Sequence, residues 1–141
     1  MFTVKSVCEL QKNALEINVG DQVERLDQLV HGANGEDYFA RTFITDGMKT
    51  LLTKGIARLA GKSGDAVFHL KQAMGGGKTH LIVGFGLLAK DPALRKAKIP
   101  DILHHDSFQS ARVAVFDGRN NPRSYFWGEA ARQLGNEKLF R

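Results

Sequence analysis

The sequence predicts an α/β fold, a parallel sheet with flanking helices behind a helical N-terminal segment, and three observations carry that expectation. The apolar period changes from that of a strand to that of a helix across the glycines of "FHLKQAMGGGKTHLIVGF", Phe68 to Phe85. The run "ARVAVFDG" is continuously apolar at Val113, Ala114, Val115 and Phe116, as in a strand covered on both faces. Upstream, "TDGMKTLLTKGIARLAG" sets Met48, Leu51, Leu52, Ile56 and Leu59 at helical spacing. The helical segment is placed at residues 1–64 and a β-loop-α-β-α portion at 65–141.

In chain order, "GDQVERLDQLV" puts Val23, Leu26, Leu29 and Val30 on one helical face, followed by a turn at His31–Gly35 and a loop, "NGEDYFARTF". The next helix has Thr45 or Asp46 as its cap and Gly61 as its stop. After the turn "GKSGD", the β-branched and aromatic residues of "AVFHLKQA" predict a strand. Beyond the glycines, Leu81, Ile82, Phe85 and Leu88 recur at helical spacing, and Asp91-Pro92 ends that helix and caps a short one, "PALRKAK". The loop "IPDILHHDSFQS" leads to the second strand. Finally, "NPRSYFWGEAARQLG" offers Ser124 as cap, Phe126, Trp127, Ala130, Ala131 and Leu134 as an apolar stripe, and Gly135 as stop.

Composition narrows the function classes. With 43% hydrophobic and 25% charged residues in 141, the chain has the make-up of a folded globular protein and not of a disordered or fibrous one. Apolar runs are broken before 18 residues, and "MFTVKSVCELQKN" lacks the basic start and apolar block of a secretory signal, so no membrane association and a cytoplasmic location are expected. The single cysteine, Cys8, cannot form an internal disulfide and is read as a small buried hydrophobe. Residues 1–70 carry 8 basic and 9 acidic side chains, whereas 71–141 carry 12 and 6. That excess suits a polyanionic ligand, although a scattered positive surface has the same count.

The glycines lie in the basic half. In a phosphate-binding P-loop, side-chain-free backbone lets N–H groups converge on phosphate oxygens at the positive end of a helix; a lysine reaches the terminal phosphates, and a Ser or Thr hydroxyl holds Mg²⁺. Gly75, Gly76, Gly77, Lys78 and Thr79 stand in that order, and Gly76 is where close approach and a positive φ are expected. The full signature has a further glycine where this chain has Gln72. The expected ligands are ATP and Mg²⁺, the latter on Thr79; a glycine-rich turn without a ligand is the plainer alternative.

The segments "YFARTFITDGMKTLLTKGIARLAGKSG", "FHLKQAMGGGKTH", "GLLAKDPALR" and "FWGEAARQLG" together resemble the N-terminal part of large bacterial AAA-type P-loop ATPases of unknown exact function, encoded in phage-defence islands beside DNA methylases. The resemblance runs from about Thr3 onward. It implies a partial P-loop NTPase core with the loop Gln72–His80 as its phosphate site, so Met74, Gly75, Gly76, Gly77, Lys78, Thr79 and His80 are the expected nucleotide-binding residues. It further implies that the acidic Mg²⁺-binding motif follows residue 141. Residues 1–141 alone are then expected to show background hydrolysis and an open apolar sheet edge. DNA or a DNA methylase-type protein is the partner implied.

Other residues have two readings each. Asp117 ends the second strand, where a Mg²⁺-binding carboxylate would stand, and equally begins the turn "DGRNNP". His80 either borders the nucleotide or is a solvated first-turn histidine. His104, His105 and Asp106 lack further ligands at metal-site spacing, so a loop surface is expected. Arg95, Lys96, Lys98, Arg119 and Arg123 are candidates for nucleic-acid contact, with solvated charge the plainer reading. Phe126 and Trp127 read as packing residues. Beside nucleotide binding stand two alternatives, an inactive interaction module and a basic nucleic-acid-binding domain.

Overall fold

Polar caps and apolar spacing build five α-helices and a terminal 3-10 turn among the described residues of the computed structural model, which are 34–71, 73, 75–118 and 122–140 with Leu26 and Gly32. The helix predicted around Val23–Val30 lies outside them apart from Leu26, which packs against the core. Cys8, Gln72, Met74 and Arg119 are also outside.

Helix α1, Gly35–Ala40, begins where Asn34 Oδ1 accepts hydrogen bonds from the Glu36 and Asp37 N–H groups (3.0 and 3.4 Å). The sequence reading had a loop here; at six residues the helix is too short to display an apolar period, and burial of Tyr38 and Phe39 holds it. Helix α2, Asp46–Leu59, is capped by Thr45 Oγ1, which accepts from Met48 N–H at 3.3 Å. It stops as predicted: Gly61 is left-handed (φ +71°), and the Gly61 and Lys62 N–H groups donate to the Arg58 and Ala57 carbonyls.

Helix α3, Lys78–Lys90, is apolar on most sides, so spacing did not identify its core face. Val83, Leu87 and Leu88 are buried; Leu81 and Phe85 are half-buried and Ile82 is exposed. Asp91 Oδ1 accepts from the Ala93 and Leu94 N–H groups (2.8 and 3.0 Å), and with Pro92 in the first turn it starts α4, Pro92–Lys98. Helix α5, Phe126–Gln133, has Tyr125 and not Ser124 at its N-cap; its C-terminal stop at Gly135 (φ +73°) is as expected. Glu137–Phe140 form the 3-10 turn.

Helix α3 packs against α1, α2 and α4, and Tyr38, Phe39, Met48, Leu52, Ile56, Val83, Leu87, Leu88, Leu94, Ile99 and Ile102 form the core they share. Each fully buried Leu or Ile contributes about 1.5–3 kcal/mol. Close approach of α1 to α3 depends on Gly84, where a Cβ would sit 2.8 Å from Tyr38 Oη and 3.0 Å from Met48 Cε. Tyr38 resists displacement because its hydroxyl donates to the His80 carbonyl. Gly84→Ala is therefore expected to lose ~1–3 kcal/mol by overpacking, despite a helix-propensity gain of about 1 kcal/mol. Thermal denaturation should show a lowered midpoint; a raised one would mean that the interface is looser than described.

The predicted parallel sheet is not found: no strand or sheet exists among the described residues. Residues 64–71 and 111–117 have no regular secondary structure and form no ladder with each other. In the first, Phe68 and Leu70 are half-buried while Val67 (86%) and His69 are exposed, the alternation of a strand without a neighbour. In the second, the backbone groups of Val115 and the N–H of Ala111 have partners other than a strand. Gln133 Oε1 accepts from Val115 N–H (2.9 Å) and Gln133 Nε2 donates to Val115 O (2.7 Å), while Ala111 N–H donates to Ala89 O (2.9 Å). Strand propensity describes a side chain's fit to a pleated surface and supplies no pairing partner.

Glu129 holds the Gln133 amide in this position, accepting from Nε2 at 2.8 Å while it pairs with Arg132. The Arg132 and Gln133 hydrogen bonds lower the Glu129 carboxyl pKa to about 2. A depressed folded-state pKa stabilises the fold above the unfolded value of about 4.5 and loses that contribution as pH falls towards 2. Arg132 is largely exposed, so the contribution is small, that of a solvent-screened surface pair. Glu129→Gln should weaken stability at pH 6 but not at pH 2, as urea denaturation at the two values would show; equal losses at both would contradict the assignment.

Arg95 departs furthest from its sequence reading. Expected as solvated charge, it is 0% exposed, and its guanidinium lies 3.8 Å from the Phe108 ring centroid. It donates to the carbonyls of Leu88, Ala89, His105, Phe108 and Gln109, joining the end of α3 to the loop that follows α4. Burial pushes its pKa down, and Asp91 partly opposes that effect. The same anchored loop carries His104 at φ +67°, a left-handed conformation unusual for a residue with a Cβ.

Candidate functional site

The loop that leads into α3 is shaped by backbone that only glycine adopts readily. Gly76 N–H donates to Ala73 O (3.2 Å), closing a turn whose third residue, Gly75, has φ +82°. Gly77 is the N-cap of α3 at φ +72°. The left-handed positions thus flank Gly76, where the sequence reading had placed one. A Cβ on Gly75 or Gly77 would meet nothing within 4 Å, so conformation and not packing calls for glycine there.

Glycine at the N-cap gives α3 no side-chain acceptor for its first N–H groups, which have no intrahelical partners and lie at the positive end of a 13-residue helix. Lys78 folds back over the turn, its Nζ donating to Ala73 O at 2.8 Å. Gly75, Gly76 and Gly77 are exposed; Lys78, Thr79 and His80 are half-buried. The hydroxyls of Thr42, Thr50 and Thr53 donate to carbonyls four residues back, whereas Thr79 forms no such bond among the described residues. Thr79 is the second residue of α3.

His80 is neither solvated nor isolated. Its ring stacks on Tyr38 (centroids 4.5 Å apart, planes at 26°), and its Nε2 lies 3.0 Å from Thr42 Oγ1. Tyr38 and Thr42 were not singled out from sequence, since nothing in "YFART" marks a contact with a residue some forty positions away.

The remaining candidates divide. Asp117 directly precedes a turn at Gly118, consistent with its turn reading. His105 Nδ1 lies 2.9 Å from Ile102 O, and no group of three or more potential metal ligands occurs among the described residues. Lys98 pairs with Glu36 at 2.6 Å. Phe126 (50%) and Trp127 (64%) are exposed with Tyr125 (61%), against the packing role expected of the first two. Phe116, Phe126 and Trp127 make edge-on ring contacts. Arg123, Ser124 and Tyr125 line a cleft of about 300 Å³ with Gly128, Glu129, Arg132 and Glu137. No helix among the described residues is long and apolar enough to cross a membrane.

Residues 9–104 match the DUF499 N-terminal domain, and the chain belongs to that family. The match includes the glycine loop, His80, Tyr38, Thr42 and Arg95, and it ends before Tyr125, Phe126 and Trp127. No curated protein and no solved structure shows a significant match to the chain.

Proposed function

We propose that Gly75–Thr79 binds the phosphate groups of a nucleotide, with Mg-ATP the ligand that suits its residue types. The observation that carries this reading is the conjunction of two left-handed glycines, an α3 N-terminus without a side-chain cap, and Lys78 folded over the same turn. The amides would hold phosphate oxygens, Lys78 would exchange its contact with Ala73 O for the terminal phosphate, and the Thr79 hydroxyl would be a Mg²⁺ ligand. The metal would neutralise phosphate charge. The resemblance to AAA-type phage-defence ATPases supports placing this binding step in an ATPase that acts on DNA or on a DNA-modifying partner.

Displacement of a fluorescent ATP analogue from the protein in Mg²⁺ tests the reading. A phosphate-centred site predicts competition in the order ATP, then ADP, with adenosine far behind. Adenosine competing as well as ATP would contradict it. A second reading, contact with single-stranded nucleic acid, is favoured by one observation, three consecutive exposed aromatics after the exposed Arg123. It predicts DNA binding that weakens steeply with salt and is lost in Trp127→Ala.

A further inference from the structure

We propose that Tyr38, Thr42 and His80 form a positioning unit through which α1 sets the affinity of the glycine loop for phosphate. The inference rests on the phosphate-binding reading of that loop, and it assigns a regulatory contact to residues outside it. His80 is the third residue of α3, directly after Thr79, so whatever fixes its backbone and ring also fixes the first turn. Two bonds from α1 and the residues just after it do so: Tyr38 Oη donates to the His80 carbonyl (2.6 Å), and Thr42 Oγ1 meets His80 Nε2 (3.0 Å).

The direction of the second bond follows from hydrogen arithmetic. A threonine hydroxyl has one proton, and Thr42 gives it to the Tyr38 carbonyl at 2.7 Å. Its oxygen must therefore accept from His80, and the network assigns the proton to Nε2. Nε2 thus carries a proton, and the imidazole lies stacked on Tyr38, with Tyr38 itself seated against Gly84. A displacement of α1 would move the His80 carbonyl and ring together, and with them the amides of Lys78 and Thr79. Conversely, phosphate held by those amides would favour one placement of α1. Two elements about 40 residues apart in sequence are joined at the point where the candidate ligand would sit.

The test uses the whole chain, Mg-ATP and inorganic tripolyphosphate as ligands, and imidazole ¹⁵N chemical shifts as the signature of the tautomer. In wild type, His80 should show the Nε2–H pattern. Thr42→Val should move the Nε2 resonance from its wild-type position, because the acceptor of that N–H is gone, and bind both ligands about three- to tenfold more weakly, the range of one ordinary hydrogen bond. Thr42→Ser should restore that position and the affinity, which a purely steric role for Thr42 would not produce. Tyr38→Phe, which keeps the ring and removes only its hydroxyl, should weaken binding similarly and stands in if the valine variant does not fold. Wild-type affinity in both Thr42→Val and Tyr38→Phe would overturn the proposal while leaving phosphate binding intact. Failure of wild type to bind either ligand would overturn the phosphate-binding reading and this inference with it.

Discussion

Arg95→Ala is expected to cost ~3–5 kcal/mol, a large part of the 5–15 kcal/mol typical of a whole domain. The loss arises from what remains after truncation: the carbonyls of Leu88, His105, Phe108 and Gln109 lose their shared donor, while Ala89 O keeps the Ala111 N–H. Each buried acceptor left unmade costs about 1–3 kcal/mol, less where water can enter the relaxed loop. Replacing a buried charge with an apolar side chain of similar volume is often harmless when its partner goes too. Here the partners are backbone and cannot be removed, so Arg95→Met should be destabilised nearly as much as alanine. Arg95→Lys should fall between, because an ammonium has three donors in place of the planar fork of five. Denaturant titration of the three variants checks this order; a methionine variant as stable as wild type would show that the carbonyls find other donors.

Lys78→Ala should weaken Mg-ATP binding by about one to two orders of magnitude, since a charge-assisted hydrogen bond contributes ~1.5–3 kcal/mol. The same change removes the Lys78–Ala73 contact, which could loosen the turn. Lys78 is only half-buried and its bond closes a short surface loop, so the thermal midpoint should move little. Binding loss without stability loss is the expected combination. Unaltered affinity would remove Lys78 from the site; a large fall in stability would make it a structural residue.

What the sequence disclosed was local. Thr45, Asp91, Gly61 and Gly135 act as caps and stops where their residue types predicted, because each needs only its own neighbours. The glycine turn running into a helix was legible for the same reason. Sheet pairing was not, since an extended run becomes a strand only if a distant segment supplies its ladder, and Gln133 partly occupies that role at Val115. Arg95 was misread because charge alone suggests solvent, whereas its surroundings are set by a loop 10 to 14 residues further on. His80 adjoins the loop in sequence, but its partners Tyr38 and Thr42 lie too far away in sequence for any spacing rule. The exposure of Phe126 and Trp127 was likewise hidden, because a helical stripe shows which residues share a face and not whether that face is covered.

Titration of the ¹⁵N-labelled chain with Mg-ATP, followed at its backbone amides, shows whether the glycine turn and the first turn of α3 hold phosphate. Saturable shifts centred on Gly75, Gly76, Gly77, Lys78 and Thr79 are expected, reproduced by tripolyphosphate and absent with adenosine. Saturation with shifts confined to Arg123–Arg132, or no shift at millimolar ligand, would contradict phosphate binding there.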